Sequence, residues 1–171
     1  MKTTVFAFHP HMDQSRTNKR LAQAAEEAGV EVRYLYDLYP DGKIDVKAEQ
    51  AALLAADRIV LQFPFYWYST PSLLKEWQDV VLEHGWAYGS EGTALHGKEL
   101  MLAVSPGAKL EVYQPSGALK HTVEEFLLPL EATANLIGTN YLPPFITDGT
   151  FYLTDEELEE KAQAYVERLN N

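Results

Sequence analysis

The chain has 171 residues, 46% of them apolar, and sets 14 basic against 25 acidic side chains for a net charge of −11. That length makes one domain with a core of its own, and the composition excludes disorder. The acidic balance excludes a nucleic-acid partner held through its phosphates, and the absence of cysteine removes disulfides, thiolate catalysis and thiolate metal sites.

Met1-Lys2-Thr3-Thr4 leads straight into a strand-like run without a signal-peptide pattern, and no apolar run reaches membrane-spanning length, so a cytoplasmic protein is expected. Thr3 to Phe8 reads as the first strand. A helix from about Ser15 to Ala28 follows, with Leu21, Ala24, Ala25 and Ala28 at helical spacing and Gly29 closing it. Val30 to Tyr36 alternates as a second strand, and Tyr39-Pro40-Asp41-Gly42 is turn chemistry. Val46 to Ala56 is an alanine- and leucine-rich helix, Arg58 to Phe63 a buried third strand, and Pro71 to Glu83 a helix. Glu99 to Val104 makes a fourth strand. A helix from Leu119 to Ala134, kinked or broken near Pro129, comes next. Asn135 to Tyr141 is the expected fifth strand. Thr154 and Glu157 then form a capping box for a last helix to Leu169. Strands alternating with helices imply an α/β, flavodoxin-like, doubly wound five-stranded parallel sheet with helices on both faces, one domain over residues 1–171. The glycine-rich dinucleotide fingerprint is missing after the first strand, which argues against a nicotinamide cofactor bound in the Rossmann manner.

Three loops meet where the carboxyl ends of strands one, three and four lie side by side. The first, His9 to Arg20, brings Ser15, Arg16, Thr17 and Asn18 to a helix N-terminus, a natural place for a phosphate. Ser15 fits an ordinary N-cap equally well, and His9 an ordinary loop histidine. The second loop holds Pro64, Phe65, Tyr66, Trp67 and Tyr68, aromatic surface suited to a planar ligand or to core filling. The third, Ser105-Pro106-Gly107-Ala108, is a small-residue turn that lets backbone approach a ring, with Tyr113 a few residues on. A phosphate cradle at one end and a flat aromatic surface at the other outline a flavin mononucleotide. His9 and His11 have no carboxylate or histidine set at ligand spacing around them, so no metal site is expected.

The chain resembles the flavodoxin-like NAD(P)H:quinone oxidoreductases. Within them it is most similar to the bacterial branch of general-stress quinone reductases and ancillary subunits of glutathione-gated Kef potassium efflux systems. The resemblance rests on His9-Pro10 with Ser15-x-x-Asn18-Lys19-Arg20, and on Pro64-x-x-Trp67-Tyr68-Ser69-x-Pro71-x-Leu73-Leu74-Lys75-x-Trp77. It continues in His84 to Gly89, Thr93 to Lys98 and Leu142-Pro143-Pro144-Phe145. It implies FMN, with FAD the alternative: His9 and Ser15 to Asn18 on the phosphate side, Phe65 to Tyr68 lining the isoalloxazine, and Ser105 to Ala108 packing on that edge. It further implies NAD(P)H as co-substrate, a quinone or similar electrophile as acceptor, ping-pong transfer and a homodimer. The family's third loop usually reads Thr-Thr-Gly-Gly, and Pro106 here removes one backbone donor. Tyr113 matches the tyrosine of the family's tyrosine–histidine pair, as a hydrogen-bonding catalytic residue or as packing, with His121 the nearest histidine. Lys75, Glu76 and Asp79 read as solvated or dimer-facing helix surface. Two other functions stay open: a regulatory subunit on a Kef-type transporter at the inner membrane, and an electron-carrier flavodoxin.

Overall fold

The computed structural model describes all 171 residues. The strands are β1 Thr3–Ala7, β2 Glu31–Tyr34, β3 Arg58–Pro64, β4 Glu99–Ser105, β5 Asn140–Tyr141 and β6 Phe145–Ile146. The helices are α1 Arg16–Glu27, α2 Leu35–Leu38, α3 Val46–Ala55, α4 Ser72–Val81, α5 Val123–Leu136 and α6 Asp155–Asn170, with 3₁₀ turns at Met12–Gln14 and Leu110–Val112. All pairings are parallel, in the order β2-β1-β3-β4-β5, with β6 also on β4. No helix is long and apolar enough to cross a membrane.

Alternation along the buried strands sends side chains to two separate cores. Phe6, Ile59, Leu61, Phe63, Leu100 and Leu102 meet Leu53 of α3, Leu74, Trp77 and Val81 of α4, and Leu127 and Ala134 of α5. On the other face Val5, Ala7, Val60, Met101 and Ala103 meet Leu21, Ala24 and Ala25 of α1 and Ala162, Tyr165 and Leu169 of α6. The central strand β3 is buried along its whole length, as a strand covered on both faces must be.

Three expectations are corrected. The fifth strand does not span Asn135–Tyr141: α5 runs on to Leu136, and the outer strand comes in two pieces. Asn140 and Tyr141 pair with Glu99 and Leu100, and Phe145 and Ile146 with Ala103 and Val104, one residue out of the first register. Leu142-Pro143-Pro144 lies between, and two prolines have no N–H for a ladder. The second strand stops at Tyr34 and the chain coils into α2, which buries Leu35 completely and lets the Tyr36 hydroxyl accept the Leu73 N–H at 3.2 Å. Finally, α5 begins at a capping box of Thr122 and Glu125 rather than at Leu119, and continues through Pro129 unbroken.

Glu49 of α3 is wholly buried, which its place in an alanine-rich helix did not foretell. It accepts hydrogen bonds from Arg33, from the Tyr39 hydroxyl at 2.7 Å and from the Trp77 indole N–H at 3.0 Å. Each oxygen of this desolvated carboxylate is therefore occupied, which is the condition for burying a charge. The network joins β2, α3 and α4.

Candidate active site

A cavity of about 560 Å³ opens at the carboxyl edge of the sheet, where β1, β3 and β4 end. Its first wall is the loop after β1 and the start of α1: His9, His11, Gln14, Ser15, Arg16, Thr17 and Asn18. Pro64, Phe65 and Tyr66 form the second wall, and Ser105 and Gly107 the third. The fourth, Thr150 and Phe151, comes from the loop between β6 and α6.

The first wall is held from below by a buried polar chain. The Tyr165 hydroxyl of α6 donates to Gln62 Oε1 at 3.1 Å, and Gln62 Nε2 donates to the Asn18 carbonyl at 2.9 Å. Asn18 Nδ2 donates in turn to Ser105 Oγ at 2.7 Å. Asn18 thus reaches the cavity chiefly as a brace between α1 and β4. Ser15 caps α1 by accepting the Asn18 N–H at 3.1 Å, so the capping reading holds for its oxygen. That leaves the Arg16 and Thr17 N–H groups of the first turn without backbone partners. Thr17, 5% exposed, lines the cavity, and its hydroxyl makes no hydrogen bond. Arg16 borders the cavity, but its guanidinium is turned to the Leu153 carbonyl at 2.7 Å and Asp155 at 2.6 Å.

His9 accepts the His11 N–H on Nδ1 at 3.1 Å, which places the proton of the neutral ring on Nε2. Burial, reinforced by His11, holds its pKa below the usual 6.5, so the ring is a neutral donor at pH 7. Its edge meets Tyr66, with ring centroids 6.5 Å apart.

The second loop is a two-residue hairpin. Tyr66 and Ser69 exchange both backbone hydrogen bonds, at 3.1 and 3.0 Å, and Trp67 and Tyr68 occupy the turn at φ +49° and +61°. Left-handed backbone on two aromatic residues is uncommon and marks stored strain at a working loop. It turns the Trp67 and Tyr68 N–H groups away from the ladder, where neither has a backbone partner. The side chains do not follow the sequence expectation. Trp67 points to solvent, 91% exposed, and Tyr68 stacks on Phe126 at 5.3 Å, so neither ring lines the cavity.

In the third loop Gly107 and Ala108 also keep N–H groups without backbone partners, and Pro106 is buried behind them. Pro106 and Ala108 are not part of the wall itself. Tyr113 is corrected as well: it is 4% exposed, packed against Phe65 and Phe126 with each pair of ring centroids 6.1 Å apart, and it stays off the wall. Burial, with Tyr68 nearby, raises its phenol above the ordinary value, so it is protonated at neutral pH. It packs against Phe65 and Phe126.

Thr150 and Phe151 were missed by sequence reasoning. The signal was the turn pair Asp148-Gly149, with Gly149 at φ +61°, directly after the second piece of the outer strand. With the fifth strand placed too early, that turn did not fall at a strand's carboxyl end.

Free N–H groups at the start of α1 and at Gly107, an unpaired threonine hydroxyl and a neutral histidine donor thus line a cavity walled by Phe65 and Tyr66, and the free hairpin amides follow directly after Tyr66. The cavity is of the size that takes a cofactor. A phosphate suits the α1 end and the polar edge of a ring suits the hairpin and Gly107 amides, so the residues present fit FMN.

Known proteins resemble this chain over nearly its whole length. The general stress protein 14 of Bacillus subtilis (strain 168) is 52% identical over 168 residues, 98% of this chain and 96% of that protein. The crystal structure of general stress protein 14 from Treponema denticola in complex with FMN is 42% identical, covers 99% of this chain and 98% of its own, and superposes with a TM-score of 0.95. An NADPH-quinone reductase from P. pentosaceus is 34% identical, covers 100% and 99%, and gives a TM-score of 0.89. A family model described as flavodoxin-like fold matches residues 1–169. The chain therefore belongs to this flavodoxin-like family, over essentially its full length.

Proposed function

We propose that the protein is an FMN-dependent NAD(P)H:quinone oxidoreductase, cytoplasmic and homodimeric. The observation that carries this is the meeting, at one cavity, of unpaired N–H groups at the start of α1 and at Gly107 with the aromatic wall of Phe65 and Tyr66, which leads into the hairpin whose Trp67 and Tyr68 N–H groups are also free. FMN is bound in a relative 42% identical, and a relative 34% identical is an NADPH-quinone reductase.

When bound, the isoalloxazine supplies the two-electron redox chemistry that no side chain of a cysteine-free chain carries. The first turn of α1 and the Thr17 hydroxyl would hold the phosphate. Phe65 and Tyr66 would exclude water from the ring's flank; the phenol of Tyr66 is raised by burial, with Tyr36 near, and stays protonated. The Trp67, Tyr68 and Gly107 amides, free of backbone partners, would donate to the ring's polar edge, and fixed donors there would lower the cost of negative charge on it. His9 keeps a neutral N–H at the same mouth. A single cavity serves both NAD(P)H and the acceptor, which predicts parallel-line, ping-pong kinetics.

The dimer reading rests on apolar surface that the monomer leaves open. A groove of about 400 Å³ between α4 and α5 is walled by Leu82, Phe126, Leu127 and Leu130, with Leu136 64% and Leu128 55% exposed on the same helix. By contrast Leu73, Leu74 and Trp77 are spent inside the core. A monomeric mass by light scattering at micromolar concentration would remove the dimer.

The test is the visible spectrum of the FMN-loaded protein before and after anaerobic NADPH. Bleaching, reversed by a quinone, is the expected result. Bound flavin that neither NADPH nor NADH bleaches would overturn the reductase reading and leave an electron carrier.

A further inference from the structure

At the rim of the cavity Phe151 is followed by Tyr152, and the two rings are 83% and 67% exposed. Neither stacks on another aromatic ring. The loop that carries them is nonetheless fixed: the Gly149 N–H donates to the Ala108 carbonyl at 2.9 Å, the Thr150 N–H to the Pro106 carbonyl at 3.4 Å, and Asp148 Oδ2 accepts the Leu110 N–H at 2.9 Å. The Phe151 ring lies across Gly107, where a Cβ would stand 2.3 Å from Cε2. Aromatic surface is thus held in place at the cavity mouth with nothing of this chain over it.

Lys109 completes the patch. Its stem crosses Gly149, with Cγ 2.9 Å from where a Cβ would be, and its ammonium stands 5.9 Å from the Tyr152 ring centroid. It forms no ion pair and no hydrogen bond. Of the other cations of this edge, Arg16 is engaged by Leu153 and Asp155, and Lys19 lines a separate depression with Asp13, Glu26 and Asp37. In a chain of net charge −11, a polyanionic ligand needs such a local positive charge to approach.

We infer that Phe151, Tyr152 and Lys109 form a subsite for the adenosine-phosphate portion of a dinucleotide, the purine on the rings and a phosphate against the ammonium. The inference rests on the proposed function in taking a dinucleotide to be the ligand. Two sources carry this chemistry: NADPH through its adenosine phosphates, and FAD through the half that extends beyond the flavin phosphate.

The test uses the FMN-loaded full chain and 2′,5′-ADP, titrated calorimetrically at low salt. Saturable binding is expected, and Lys109→Ala should weaken it about tenfold, as loss of one charge-assisted contact does, with Lys109→Arg restoring it. Tyr152→Ala should weaken it independently of salt. If NADPH is the source, Lys109→Ala raises KM for NADPH with kcat held. If FAD is the source, the same substitution weakens FAD and not FMN, and KM for NADPH stays. Binding of 2′,5′-ADP that is absent, or indifferent to both positions, overturns the subsite. A protein that takes 2′,5′-ADP through Lys109 yet is never bleached by NADPH keeps the subsite and loses the reductase reading, so the two failures are separable.

Discussion

At the scale of single residues, the site depends on groups that never touch the ligand. Tyr165→Phe removes the donor to Gln62 Oε1 and leaves a buried acceptor unpaired, so stability should fall by about 1–3 kcal/mol in chemical denaturation. FMN affinity should fall with it, because Gln62 steadies Asn18 and the first turn of α1; an unchanged midpoint would mean that water replaces the hydroxyl. His9 gives a pH signature. Its folded pKa lies below its unfolded one, so its share of stability is complete above about 6.5 and erodes as pH falls toward the depressed value. In an NMR titration the His9 ring should therefore show a midpoint below 6.5, and His9→Gln should flatten part of the stability loss between neutral and acid pH. Ser15 to Asn18 were legible in the sequence because helix starts advertise themselves by hydroxyl and amide residues. Gln62 and Tyr165 were not: one sits in an apolar strand, the other on an ordinary helical face, and only folding brings them together.

At the scale of elements, loops were legible by composition and side-chain direction was not. The aromatic run Phe63 to Tyr68 is unmistakable, but a tight hairpin turns Trp67 outward, and no pattern in the sequence announces positive φ on two bulky residues. Trp67→Gly should leave stability unchanged or raise it, whereas Trp67→Val, a β-branched residue in left-handed backbone, should cost about 1–2 kcal/mol. Equal melting temperatures for the two variants would refute the strain. Glu49 offers a second element-level test. Removing it leaves Arg33 without its buried carboxylate and Tyr39 and Trp77 without their acceptor, so Glu49→Ala should destabilise by about 3–5 kcal/mol and loosen α3 against α4 first in hydrogen exchange. The Thr154–Glu157 capping box was legible. The same pattern at Thr122 and Glu125 was hidden because apolar Leu119 extends the helical spacing backward.

At the scale of the whole molecule, the strand order followed from the alternation of strands and helices with right-handed crossovers, and the structure has it. The outer strand was placed five residues early, because Ile137 continues an apolar run that α5 in fact buries. The broken outer strand has a consequence for how copies of the chain meet in a crowded solution. One sheet edge, β2, is four residues long and carries Glu31 and Arg33; the other is cut by Pro143 and Pro144. Neither offers an unbroken row of donors and acceptors on which a second molecule can template itself. Replacing both prolines by valine would join Tyr141 to Phe145 into one apolar strand, and we expect that variant, incubated at 37 °C, to form thioflavin-binding fibres while the parent stays clear.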